Sequence, residues 1–425
     1  MKVLQLYNQY RSLHGGEETV VLMTDELIKK YGGQAKLLMR SSRGLDESFW
    51  GKAKAFAGAF YNKSAYREVK AELAADRPDV VHVHNLYPLF SPSVLVACKE
   101  AGVPVVMSNH NYVLTCPTTH HLRRGTVCEK CFGGKEYHCV LTNCRGNVAE
   151  SVAYAARSAY ARRKGFFRGG VSQYIVLTEF AKRQLLRDGY HEEQIHVLPN
   201  MVELDHQSVD ASQGDYVAFS GRMSPEKGVE TLLAAARMLP EVPFRLAGHG
   251  PLLEDLKTNA PENCEFLGQL TAEEMKSFYR GARMVVIPSH WYEGCPLVVS
   301  ETMSHGVPLV VSQIGGLPDL IGEGTEEPCG KTFPVRDAAQ LADQVSSLWE
   351  SPELCGELGS AGRRRALREY SEETYYQRLM SVYEAAMGRT AGERKLPTKE
   401  TAKTESTREE VSEPKELVGS APRTD

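Results

Sequence analysis

Val80-Val81-His82-Val83 sets valines on both faces of one short run. A strand with one face in the core alternates apolar and polar residues. A strand apolar on both faces belongs in a parallel sheet covered by helices on either side. The surrounding chain supplies those helices. Val3–Tyr7, Ala35–Met39 and Val103–Ser108 read as further strands, with Glu17–Tyr31 and Pro92–Ala101 as helices between them. Val148–Lys164 reads as a helix, Tyr174–Leu177 as a strand and Glu179–Asp188 as a helix. Strand and helix in alternation predict an α/β domain with a parallel sheet.

A second series follows the polar break Glu203–Asp215. Tyr216–Ser220, Phe244–Ala247, Glu265–Leu267, Met284–Ile287 and Pro308–Ser312 read as strands. Gly228–Leu239, Leu252–Asn259, Ala272–Arg280, Leu297–His305 and Ala338–Ser347 read as helices. The expected organisation is a first unit over 1–205 with a Cys-rich insertion at 116–144, then a second unit over 206–390. The last helix of the second unit is expected to pack back on the first. Gly392–Asp425, rich in Lys, Glu, Thr and Ser, reads as a disordered tail from about 391. Two open α/β units put a cleft between them, and ligands of such sheets sit beyond the carboxyl ends of the strands.

The 425 residues fit two or three domains at roughly 150 residues each. Lys plus Arg number 50 and Asp plus Glu 54, a net charge of −4 that gives no basic field for nucleic acid. No run approaches the roughly 18 unbroken apolar residues of a membrane span. Met1–Tyr7 enters a strand without an apolar signal region, so a cytoplasmic protein is expected. Five of the ten cysteines fall in one stretch, Cys116, Cys128, Cys131, Cys139 and Cys144, which in a reducing compartment suggests metal before disulfides.

Four stretches carry chemistry. Gly15-Gly16 precedes a helix, where free N–H groups and close backbone approach suit a phosphate or leave room for a sugar; a loop needing positive φ explains the pair equally well. In Gly221-Arg222-Met223-Ser224-Pro225-Glu226-Lys227-Gly228, Ser224 reads as an N-cap and Pro225 as the first helical residue. Arg222 and Lys227 flank that start, and two cations at a helix N-terminus make a diphosphate site. Glu293-Gly294-Cys295-Pro296-Leu297-Val298-Val299-Ser300-Glu301 sets a helix start at Pro296, with the N–H groups of Gly294 and Cys295 free just before it. Glu301 falls among Leu297, Val298 and Met303, and a buried carboxylate there needs a partner. Two such carboxylates suit the vicinal hydroxyls of a sugar and a ribose. Gly248-His249-Gly250-Pro251 ends another strand but lacks the G-x-G-x-x-G spacing, which counts against a dinucleotide oxidoreductase.

These stretches, with Gly-Gly-Leu-Pro-Asp-Leu-Ile (315–321), Gly-Gly-Glu-Glu-Thr-Val-Val and the Val-His-Val-His and Ser-Asn-His-Asn runs, resemble those of GT-B glycosyltransferases of family 4 over about residues 1–390. The resemblance implies two Rossmann-like domains facing a cleft, and transfer of a sugar from a nucleotide-diphosphate-sugar donor with retention of configuration. It assigns Arg222 and Lys227 to the diphosphate, Glu301 to the ribose and Glu293 to the sugar hydroxyls. Gly15 and Gly16 would sit close to the diphosphate. The N–H groups around Gly294, Cys295, Pro296 and Leu297 would help hold sugar or phosphate. His110 would approach the reacting sugar from the first domain. Glu17 and Cys295 depart from the family pattern, which has Ala and an aromatic at these positions. A hydroxyl acceptor, sugar or lipid-linked, and a role in cell-surface polysaccharide or glycolipid synthesis are further expectations.

No Asp-x-Asp occurs, which suits a transferase needing no metal cofactor for catalysis. The pair Cys128-x2-Cys131 is a common zinc half-site, and the five clustered cysteines are expected to hold a structural zinc, with His120, His121 and His138 as spare ligands. Disulfides and plain buried thiols are the alternatives. Arg157, Arg162, Arg163, Lys164 and Arg168, interleaved with Phe166 and Phe167, read either as a patch for an anionic membrane or as a solvated helix face. Two rival functions remain, a nucleotide-sugar epimerase of the same architecture and a non-catalytic partner subunit.

Overall fold

The structure is a computed structural model that describes residues 1–9, 16–42, 58–205, 207 and 209–388. Gly15 and the expected tail lie outside these residues. Two six-stranded sheets dominate. The first runs β2-β1-β3-β4-β7-β8, from β1 (Lys2–Gln9), β2 (Gln34–Ser41), β3 (Val80–Asn85), β4 (Val105–Asn109), β7 (Gln173–Val176) and β8 (Ile195–Val197). The second runs β11-β10-β9-β12-β13-β14, from β9 (Tyr216–Ser220), β10 (Phe244–Ala247), β11 (Cys264–Gly268), β12 (Ala282–Ile287), β13 (Leu309–Ser312) and β14 (Gly330–Phe333). Every ladder in both sheets is parallel. A hairpin of β5 (Leu122–Arg123) and β6 (Thr126–Val127) lies in the Cys-rich insertion.

All six residues of β3 are buried, because helices cover both faces of its sheet. One face is closed by Leu73, Phe90, Leu95 and Phe167. The other is closed from the far end of the chain. The helix Glu372–Ala386 lays Tyr375, Leu379, Met380 and Tyr383 against Val3, Val80, Val106 and Ile175. Tyr383 reaches to the sheet itself, its hydroxyl 2.7 Å from Nδ1 of His82 on β3. The chain therefore passes between the lobes twice, and the passages are bonded together where Val202 N–H donates to the Tyr370 carbonyl at 3.0 Å.

In each sheet the strand order reverses beside the first strand of the unit, between β1 and β3 and between β9 and β12. In open parallel sheets ligands bind outside the carboxyl ends of the strands at such a reversal. The loops after β4, β9 and β12, and the helix that starts at Gly16, carry residues singled out from the sequence.

Candidate active site

Lys227 and Glu293 come from the loops after β9 and β12 and meet where the second sheet's strand order reverses. Lys227 Nζ lies 2.8 Å from Oε1 and 3.0 Å from Oε2 of Glu293, whose side chain is only 6% exposed. Burial alone would raise the Glu293 carboxyl. The charge and hydrogen bonds of Lys227, with a hydrogen bond from Ser289, outweigh it and hold the group below the usual carboxylate range. Arg222 stands exposed on the same loop as Lys227, with no side-chain bond among the described residues.

Ser224 and Pro225 hold the N-cap and first positions expected of them, but the Ser224 hydroxyl makes no cap bond and donates to Glu226 Oε1 at 2.6 Å. Pro225–Lys227 makes a single 3-10 turn, and the helix begins at Val229 after Gly228 in the left-handed region at φ 70°. The cause is contact with the neighbouring loop. A Cβ on Gly228 would stand 1.9 Å from the Pro288 carbonyl oxygen, and His290 N–H donates to the Glu226 carbonyl at 2.8 Å. The turn is thus pinned to the loop that carries Glu293, which sets Lys227 against it.

The helix Leu297–His305 has the bounds read from the sequence, with Pro296 as its N-cap. The N–H groups of Gly294, Cys295 and Leu297 make no backbone bond among the described residues. Gly16 faces this end from the first lobe, its Cβ position 3.4 Å from Leu297 Cδ1. Glu301, four residues into the helix, is half-buried and accepts from the Tyr279 hydroxyl at 2.8 Å. Burial raises its carboxyl and that hydrogen bond opposes the rise.

The first lobe brings His110 to the same place. A Cβ on Gly294 would lie 2.8 Å from the His110 carbonyl oxygen, and the Tyr112 hydroxyl donates to the Glu293 carbonyl at 3.1 Å. Burial lowers the His110 imidazole to about 4, so it is neutral at physiological pH. Sequence reasoning missed Ser289, Tyr112, Tyr279 and Asn200, whose amide donates to the Cys295 carbonyl at 3.3 Å. An orphan carboxylate at Glu293 and Glu301 was the available signal that hydroxyl partners must exist.

The Cys-rich insertion reaches across to the second lobe. Tyr292 OH donates to Glu129 at 3.1 Å, Arg336 donates to the Gly125 carbonyl, and the His120 and Trp291 rings are 5.3 Å apart. Its zinc reading is not carried by the geometry. Among the described residues no three His, Cys, Asp or Glu side chains stand where they could hold a metal ion, and all ten cysteines are free thiols. His121 is spent otherwise, with Nε2 on Thr115 Oγ1 at 2.9 Å and Nδ1 on the Cys128 carbonyl at 3.1 Å. Cys116, Cys131 and Cys139 are buried, while Cys128 and Cys144 are partly so. Burial, then the neighbouring thiols, push Cys131 and Cys139 up, as expected of thiols that pack as small apolar groups.

The basic stretch also resolves differently. Arg157 is buried, its guanidinium 4.0 Å from the Tyr87 ring centroid and bonded to the Pro117 carbonyl at 2.9 Å. Arg162 pairs with Glu136 at 2.7 Å and Asp188 at 2.9 Å, and Arg168 donates to the Asp188 carbonyl. Only Arg163 and Lys164 of the five remain as exposed charges without such partners among the described residues. No helix among those residues is long and apolar enough to cross a membrane.

With this geometry in hand, comparison with known proteins is decisive. Residues 202–365 match the model for "Glycosyl transferases group 1" and residues 15–206 that for "Glycosyltransferase Family 4". The chain belongs to the group 1 glycosyltransferases. This glycosyltransferase is 25% identical over 357 residues to sulfoquinovosyl transferase SQD2 of Arabidopsis thaliana, covering 78% of this chain and 63% of that protein. It is 30% identical over 230 residues to the MMP alpha-(1->4)-mannosyltransferase of Mycolicibacterium hassiacum, covering 51% and 52%. The chain thus spans about half to two-thirds of the length of these curated relatives. Anabaena HepE, solved in complex with UDP, shares the fold with a TM-score of 0.63 at 16% identity, over 91% of this chain and 100% of that one. The architecture is GT-B, as the sequence resemblance implied.

Proposed function

We propose that this glycosyltransferase moves a sugar from a nucleotide-diphosphate-sugar donor to an acceptor hydroxyl with retention of configuration. The observation that carries the reading is the Lys227–Glu293 pair on the loops after β9 and β12, with an exposed Arg222 on the Lys227 loop that has no side-chain bond among the described residues, and the His110 backbone against Gly294. In this reading Arg222 and Lys227 hold the diphosphate, helped by the N–H groups of Gly294, Cys295 and Leu297 around Pro296. Gly16 leaves room for it to approach. Glu301 accepts from the ribose hydroxyls.

Glu293 accepts from the sugar hydroxyls. Its Oε1 already accepts from Lys227 and Ser289, whereas Oε2 accepts from Lys227 alone and keeps a lone pair for a hydroxyl. The bond from the anomeric carbon to the diphosphate oxygen breaks and one to the acceptor oxygen forms. The acceptor's proton leaves with the diphosphate or to solvent. The protein's part is to orient the two substrates and stabilise the departing charge. In this reading the two cations supply that stabilisation without a divalent ion, so turnover is expected to persist in excess EDTA.

Parallel calorimetric titration with UDP and GDP tests the donor site. Micromolar binding of one, weakened by Glu301→Gln, supports the reading. Binding of either that is indifferent to both Glu301→Gln and Arg222→Gln overturns the residue assignment. Incubation with donor alone separates transfer from epimerisation, since an epimerase would change the sugar without an acceptor.

A further inference from the structure

Behind His110 lies a line of buried polar groups that the donor site does not use. His110 Nε2 is 3.2 Å from His84 Nδ1, and His84 Nε2 is 2.9 Å from Gln5 Oε1. Gln5 Nε2 is 3.1 Å from Asp25 Oδ1, and Asp25 Oδ2 is 2.6 Å from Lys29 Nζ. Gln5 is fully buried, His84 nearly so, and Asp25 is 8% exposed.

The direction of this line is fixed by the chemistry at its far end. A carboxylate bonded to lysine can only accept, so Gln5 must turn its amide N–H toward Asp25 and its oxygen toward His84. That oxygen can only accept, so His84 carries its proton on Nε2 and a lone pair on Nδ1. Burial keeps His84 and His110 neutral, each with a single N–H. His110 must then place its proton on Nε2 to meet the lone pair, which leaves Nδ1 as its accepting atom.

We infer that Asp25, acting through Gln5 and His84, is a positioning residue that holds His110 in the Nε2–H tautomer, so that the ring accepts from a sugar hydroxyl and does not donate to one. The last clause rests on the proposed donor site; the tautomer does not. His82 does not compete for His84, because its own nitrogens are taken by Tyr383 OH at 2.7 Å and Ser108 Oγ at 2.9 Å.

The test is long-range nitrogen–proton correlation spectroscopy of the full chain labelled with nitrogen-15 histidine at neutral pH, with His110 assigned from the His110→Gln spectrum. The expected result is the Nε2–H form at both His84 and His110. Asp25→Asn is isosteric, but its amide can donate. Gln5 can then turn over and the whole line reverse, so His110 is expected to shift toward the Nδ1–H form. Lys29→Gln removes the same ion pair while keeping the carboxylate, and is expected to leave the tautomer alone.

An Nδ1–H form in the unaltered protein overturns the inference, and so does a tautomer indifferent to Asp25→Asn. On activity, Asp25→Asn is expected to lower kcat about tenfold with UDP or GDP affinity unchanged. A reversed tautomer with unchanged kcat overturns the positioning role. Failure of the protein to turn over any nucleotide sugar would count against the proposed function while the spectra still decide the tautomer.

Discussion

Lys227→Met removes one half of a buried ion pair and strands the other. Glu293 is 6% exposed on its side chain and holds both oxygens toward Lys227, which is itself 23% exposed. Breaking a buried pair by deleting one partner costs roughly 3–5 kcal/mol, because the remaining charge is left without compensation. Here the Ser289 hydrogen bond survives and the lysine end touches water, which sets the expected loss at about 3 kcal/mol. For a lobe of this size that lowers its melting transition by about 6–12 °C.

The pH dependence supplies the sharper test. In the unaltered protein Glu293 is held below its ordinary value. Its contribution is therefore complete above the ordinary carboxylate pKa and is lost as pH falls through the lower, folded value. Without Lys227 burial dominates, the folded pKa rises above the ordinary one, and the sign reverses. Lys227→Met should regain stability as pH falls from about 7 to about 5, and the gap to the unaltered protein should narrow. Calorimetry across that range, with Lys227→Met/Glu293→Gln alongside, measures both effects. A gap constant with pH, or a double variant no more stable than the single one, would refute the argument that an uncompensated buried charge causes the loss.

Three further outcomes are expected. Arg222→Gln should leave the melting temperature within the effect of about 0.5 kcal/mol, since the side chain is exposed and without a bond among the described residues, yet weaken UDP or GDP about tenfold by calorimetry. Gly294→Ala puts a methyl 2.8 Å from the His110 carbonyl oxygen, so it should hold the lobes apart. Scattering should then show a larger radius of gyration with nucleotide bound, and kcat should fall; unchanged scattering would contradict it. Tyr279→Phe removes the hydrogen bond to Glu301 and lets burial raise that carboxyl further, so nucleotide binding should weaken about fivefold, with a deficit that grows as pH falls below neutral.

The sheets were legible because their valine runs report burial directly, as in β3. The site was legible where charge interrupts an apolar run beside Gly or Pro, as at Glu293 and Glu301. Long-range contacts hid the rest. The 3-10 turn at Pro225 follows from Pro288, which touches Gly228 only in the folded chain. The bases at Arg162 and Arg168 looked unpaired because Glu136 and Asp188 arrive from either side of the helix in sequence. Gln5 reaches His84 across 79 positions, a distance no local pattern spans. Cysteine spacing suggested a metal site, but spacing does not say where side chains end up, and among the described residues no three candidate ligands stand where they could hold an ion. The strand β14, Gly330–Phe333, lacks the apolar run that marked the other short strands, since Lys331 and Thr332 lie between a glycine and its one large apolar residue.

The helix Glu372–Ala386 has a consequence for how the chain is made. The face of the first sheet that it covers belongs to strands synthesised far earlier, the last of them ending at Val197. At 5–20 residues per second the ribosome needs about 9–40 s to travel from there to the end of that helix. For that interval Val3, Val80, Val106 and Ile175 present an uncovered apolar wall, so nascent chains are most vulnerable to aggregation while the second lobe is emerging. A gene cut near residue 205 would make that interval permanent. Any excised first lobe should therefore carry the helix Glu372–Ala386 grafted to its end.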